Sequence, residues 1–179
     1  MAAAAIRVWD PFVRFVHWCV AALVVVDLLN DAGANPWHRY CGYAVGALVI
    51  MRLAWGLFGS HHARLQTMAA SARTLTAYLG KVQSNTRRFY AGHNPLGACM
   101  AFTLWGLLLA VALTGWMLQL DAFWGDELLQ TLHAVAAYAV AAFAVLHVAG
   151  VLVTSVRTRT NLVQAMFTGV KKHNDASPH

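Results

Sequence analysis

The sequence predicts an all-α membrane protein, a bundle of four transmembrane helices, and three observations carry that prediction. Only 11% of the 179 residues are charged, against about 25% in an ordinary soluble domain. The mean hydropathy is +0.53. The apolar residues gather in four long blocks instead of following a 3.6-residue period, so lipid is the expected solvent. The length suits a single domain, 1–179.

The blocks fall at 12–30, 37–58, 96–118 and 130–154. Each approaches the about 20 helical residues that cross a bilayer. Arg7, Trp9, Asp10, Pro11 and Arg14 interrupt the run into the first block. That block therefore reads as an anchor and not as a cleaved signal. Asn94-Pro95 marks the entry to the third span, because proline suits a first helical turn. The polar stretch 59–95 separates the second and third spans, and residues 70–83 within it read as a short amphipathic surface helix. Beyond residue 155 the tail is polar, with disorder expected in its last residues.

A net charge of +6 raises the question of nucleic acid. The bases lie outside the apolar blocks, so they are read as topology, with no nucleic-acid partner. Arg7, Arg14, Arg64, Arg73, Lys81, Arg87, Arg88, Arg157, Arg159, Lys171 and Lys172 fall on one side of the spans. They are eleven of the 13 basic residues. Asp27, Asp31, Asp121, Asp126 and Glu127 fall on the other, with Arg39. The positive-inside rule then places both termini in the cytoplasm. Trp37, Trp116 and Trp124 are expected at the outer interface, and Trp9 and Trp55 at the inner one. Cys19, Cys41 and Cys99 form no C-x-x-C pair and read as small packing residues, so covalently attached haem is not expected.

Nine histidines are many for this length. Ionisable groups within spans are expensive and mark candidate functional sites. His133 and His147 are 14 residues apart on the fourth span, almost four turns, so they share a face about 21 Å apart along the axis. Each can hold a haem, one near each membrane surface, and Ala136, Ala137, Val140 and Ala144 between them leave room for a flat ring. The charge-derived topology supplies the partners. His38 and His133 lie near the outer face, and His17 and His147 lie toward the inner face. The expected metal ligands are therefore His38 with His133 and His17 with His147. Two pairs so far apart do not share one zinc or copper ion, whose ligands sit about 2 Å from the metal.

Gly42 and Gly46 follow His38 along its helix face. They leave space for a ring or, alternatively, let two helices approach closely. Arg52 lies 14 residues beyond His38, at the depth of the inner haem. It either faces a haem propionate or snorkels to the headgroups. His93, in Gly-His-Asn-Pro, sits on the same side as His61 and His62. It reads either as a helix-start residue or as a proton donor and acceptor for a quinone. His173 and His179 are tail residues with no assigned role.

At this point several segments resemble a known family. They are Val8-Trp9-Asp10-Pro11-Phe12-Val13-Arg14-Phe15-Val16-His17-Trp18, His38-Arg39-Tyr40-Cys41-Gly42-Tyr43, Gly92-His93-Asn94-Pro95-Leu96-Gly97 and Asn161-Leu162-Val163-Gln164-Ala165-Met166-Phe167-Thr168-Gly169. The chain resembles bacterial cytochrome b561 and the b-type cytochrome subunit of membrane-bound nickel–iron hydrogenases. The resemblance implies a four-helix bundle with two non-covalent haems b, each ligated by two histidines, in the bacterial inner membrane. It also implies electron transfer between a periplasmic redox partner and the quinone pool. The chain is shorter than the hydrogenase subunits usually are and looks closer to the stand-alone members.

Two histidine ligands leave an iron no open position, so the haems are expected to carry electrons. An Arg52 close to the inner haem is expected to raise its potential. The acids of the outer loops suit a small basic periplasmic cytochrome as partner. Two other readings are a stand-alone quinone-reducing oxidase of a small substrate such as superoxide, and a haem-free anchor or transporter. Transporters bring broken helices and paired half-repeats, and the sequence has neither.

Overall fold

The first long helix starts where Asp10 and Pro11 say it should. Asp10 Oδ1 accepts from Val13 N at 2.9 Å, an N-cap ahead of a proline in the first turn. The computed structural model describes residues 4–29, 36–82, 90 and 92–173. Asn30, Asp31, Gln83, Arg87, Arg88, His179 and the tail end expected to be disordered lie outside them.

The described elements run β1 (Ala4–Arg7), α1 (Pro11–Leu29), α2 (Pro36–Phe58), α3 (Leu65–Ala72), α4 (Leu75–Val82), α5 (Pro95–Met117), α6 (Glu127–Thr158), α7 (Leu162–Thr168) and β2 (Val170–His173). Helices α1, α2, α5 and α6 are long and apolar enough to cross a membrane. Most of their large apolar side chains face outward, among them Val25, Leu113, Val135 and Val148. Such a surface is stable in lipid and not in water. The expected spans hold to within a few residues, apart from α6, which extends to Thr158. Asn94 caps α5 by accepting from Gly97 N at 2.7 Å, ahead of Pro95. Asp126 caps α6 through Leu129 N at 2.9 Å.

The chain clusters into two compact units. One contains residues 15–54 and 101–145. Its core is Val45, Val49, Leu108 and Val140, with Leu23, Trp105 and Val111 against it. The other contains residues 1–14, 55–100 and 146–179. Its core is Val8, Trp9, Val13 and Ala63, with Met166 packed on it.

One expectation changes in the second of these units. The single surface helix over 70–83 is instead two short helices, α3 and α4. The break falls at Arg73-Thr74, where the Thr74 hydroxyl donates to Ser71 O at 2.8 Å and competes with the helical ladder. The polar tail beyond residue 155 also carries two short elements, α7 and β2. Asn161 caps α7 through Gln164 N, and Gly169 ends it in the left-handed region at φ 80°. β2 then pairs antiparallel with β1, Ile6 opposite Lys171. Val8 N and Trp9 N both donate to Gly169 O. A Cβ at residue 169 would stand 2.6 Å from Trp9 O, so this junction requires glycine.

Candidate functional site

His38 and His133 come together in the unit of residues 15–54 and 101–145. Their ring centroids are 5.9 Å apart with planes at 87°. His38 opens α2, and its Nδ1 lies 2.9 Å from Asp27 Oδ1 on α1. His133 Nδ1 lies 3.0 Å from Thr114 Oγ1 on α5. The Thr114 hydroxyl hydrogen is directed to Ala110 O at 2.7 Å, so its oxygen is left to accept from His133. Both partners therefore favour the tautomer with hydrogen on Nδ1, which leaves a lone pair on each Nε2. Two rings so held are a donor set that could hold a metal centre such as a haem iron.

Gly115 makes room for this arrangement. A Cβ there would stand 3.0 Å from His133 Cε1. Asp27, Thr114 and Gly115 were not singled out by sequence pattern. Asp27 is one acid among several near the outer loops, and Thr114 and Gly115 carry no spacing signal.

Beside the two rings runs a narrow apolar cleft of about 50 Å³, lined by Asp27, Gly42, Val45, Leu108, Ala137 and Val140, among others. The two glycines of α2 divide here. A Cβ on Gly42 meets nothing within 4 Å, so Gly42 keeps the cleft open. A Cβ on Gly46 would stand 3.0 Å from Ala112 Cβ, so Gly46 serves close approach of α2 and α5.

His17 is half-buried on α1, its ring centroid 5.1 Å from that of Trp18. Arg52 is 4% exposed, with its guanidinium carbon 4.9 Å from the centre of the Trp105 ring. The guanidinium is thus covered by an indole among the helices and does not reach outward as a snorkelling side chain would. His147 is half-buried on α6, in the other unit. Helices α2 and α6 run unbroken through 38–52 and 133–147, so both 14-residue spacings are true helical spacings.

His93 lies in the unit of residues 1–14, 55–100 and 146–179. With His61, His62, Thr67, Met68, Ser71 and Gly92 it lines a cavity of about 240 Å³. Its ring centroid is 4.7 Å from that of Trp9. Trp9 is 7% exposed, with the ring of His93 and the ammonium of Lys171 packed on it. Lys171 Nζ donates to Tyr90 O at 3.1 Å and Gly92 O at 2.9 Å. The Ser71 hydroxyl donates to His93 O at 3.0 Å. Burial pushes Lys171 down to about 8. Burial, then the charges of His61 and Lys171, lower His62 from its ordinary value, so it is neutral near pH 7. Nothing in the tail's composition singled out Lys171. Its part here depends on β2 pairing with β1.

Among the described residues, no three or more His, Cys, Asp or Glu gather as a metal cluster. Neither a curated protein nor a solved structure matches the chain. The prokaryotic cytochrome b561 family matches residues 8–169, nearly the whole length. The chain belongs to that family and is a membrane-bound b-type cytochrome of electron transfer.

Proposed function

Within that family, we propose that the chain is a di-haem cytochrome exchanging electrons between a periplasmic redox protein and the membrane quinone pool. His38 and His133 ligate an outer haem, and His17 and His147 an inner one. Both termini are cytoplasmic, as the basic loops require. The haems supply the one-electron centres.

The observation that carries this reading is the His38–His133 pair. Each ring comes from a different helix, and each Nδ1 is committed to a partner. An imidazole nitrogen sits about 2 Å from a bound metal. The observed 5.9 Å between ring centroids would let both His38 and His133 reach one such metal. The inner pair rests on depth: His147 is four turns from His133 on one helix, and His17 lies in the first turns of α1. Gly42 contributes open space beside the outer ring, and Arg52 offers a cation to an inner propionate. Gly46 helps hold the helices that frame them.

The His93 cavity is the proposed quinone site. Reducing a quinone to quinol takes two electrons and two protons, and the reverse releases them. Met68 gives the ring an apolar surface. His93 and the neutral His62 can give or take a proton at a ring nitrogen. The cavity lies on the side where the topology places the cytoplasm, which supplies those protons.

The test is direct. The purified protein should be red, with a low-spin b-type spectrum and about two haems per chain. A colourless protein overturns the reading, and a ratio near one removes one pair.

A further inference from the structure

We propose that Asp27 is a positioning residue whose charge sets the potential of the outer haem, acting through His38. This rests on the assignment of His38 as a ligand. Asp27 sits near the C-terminal end of α1, where the helix dipole disfavours a carboxylate, and within a span, where a charge is costly. Among the described residues it caps no helix there, whereas Asp10 and Asp126 do. What compensates it is the 2.9 Å bond to His38 Nδ1. Arg39, the neighbouring base, is turned away and donates to Gln119 Oε1 at 2.9 Å. Asp27 is also the one ionisable residue lining the apolar cleft beside Gly42.

A carboxylate accepting from Nδ1–H pulls that proton and makes the far nitrogen a stronger donor. A stronger, more anionic donor favours the oxidised, more positive iron and lowers the potential. The opposite ring has no such push. Among the described residues His133 meets only neutral hydrogen-bond partners, the Thr114 hydroxyl, which already donates to Ala110 O, and the Val111 backbone. The two faces of the outer site are therefore unequal, and the charged face is the one that tunes.

Asp27→Asn keeps an acceptor of nearly the same shape and removes the charge. Potentiometric titration of the full-length purified protein reads the effect, with the outer haem identified as the one that His38→Ala loses. In Asp27→Asn the outer haem should shift upward by about 59 mV or more, a tenfold change in a one-electron ratio. The other haem should move far less, and Asp27→Glu should restore the original value. An outer potential unchanged by Asp27→Asn, at full haem content, overturns the proposal. If Asp27→Asn does not fold, Asp27→Glu against Asp27→Gln makes the same comparison, and equal potentials overturn it again. If His38→Ala keeps both haems, the ligand assignment itself is wrong. If His38→Ala loses one haem and no Asp27 variant shifts the potential, only the role of Asp27 falls.

Discussion

The His38–His133 end and the His93 cavity use histidine in opposite ways. At the first, each ring has one nitrogen bonded to a side chain on a neighbouring helix, Asp27 or Thr114, in apolar surroundings. Such a ring is fixed in tautomer and orientation, which suits a metal ligand. At the second, three histidines line a cavity beside a buried lysine. There burial lowers Lys171 to about 8, and burial with the charges of His61 and Lys171 lowers His62 from its ordinary value. Imidazoles lining a cavity can give or take a proton at a ring nitrogen, which is what the proposed quinone chemistry needs. On the proposed function, the same residue type would serve as a ligand at one end and a proton carrier at the other.

The comparison can be broken at either end. The largest effect is expected from Gly115→Leu, since a side chain there drives into the His133 ring. It should abolish one haem and leave the other, read as a haem-to-protein ratio falling from about two to about one. His93→Phe keeps a ring against Trp9 and removes the nitrogens. Quinone-linked electron transfer should fall about 100-fold, the order of a lost general acid–base group, with both haems retained. Unchanged turnover with a soluble quinone would remove His93 from the site.

Thr114→Val removes the acceptor for His133 Nδ1 without changing shape. Haem retention at the outer site should weaken about tenfold, measured as haem loss to an excess of acceptor protein. Lys171→Met gives the smallest effect. A lysine in the unfolded chain holds its proton to near 10.5, whereas the buried Lys171 gives it up at about 8. In that window the unfolded state binds more protons, so stability rises as pH climbs from 8 toward 10.5, by at most about 1.4 kcal/mol per pH unit. Lys171→Met should flatten that rise in a thermal-unfolding series.

Much of this was legible in the sequence because it depends on long-range periodicity and on hydropathy. The four apolar blocks follow from hydropathy, the start of α5 from Asn94-Pro95, and the 14-residue spacings of His133–His147 and His38–Arg52 from helical geometry. Asp27, Thr114 and Gly115 were not legible, because their roles come from what a different helix brings to them. A carboxylate near a loop reads as surface charge until His38 is seen beside it. The fate of Trp9 and Lys171 was hidden for a related reason. It depends on two four-residue strands at opposite ends of the chain, and segments so short carry no periodicity of their own. Gly42 and Gly46 looked alike in sequence and differ only in what faces them, open cleft or Ala112.

The central claim is that four histidines act as two pairs at two depths. Haem content and spectra of His17→Ala, His38→Ala, His133→Ala and His147→Ala test it most directly. The account predicts that His38→Ala and His133→Ala lose one and the same haem, and that His17→Ala and His147→Ala lose the other. Loss of the same haem from both His17→Ala and His133→Ala would contradict it.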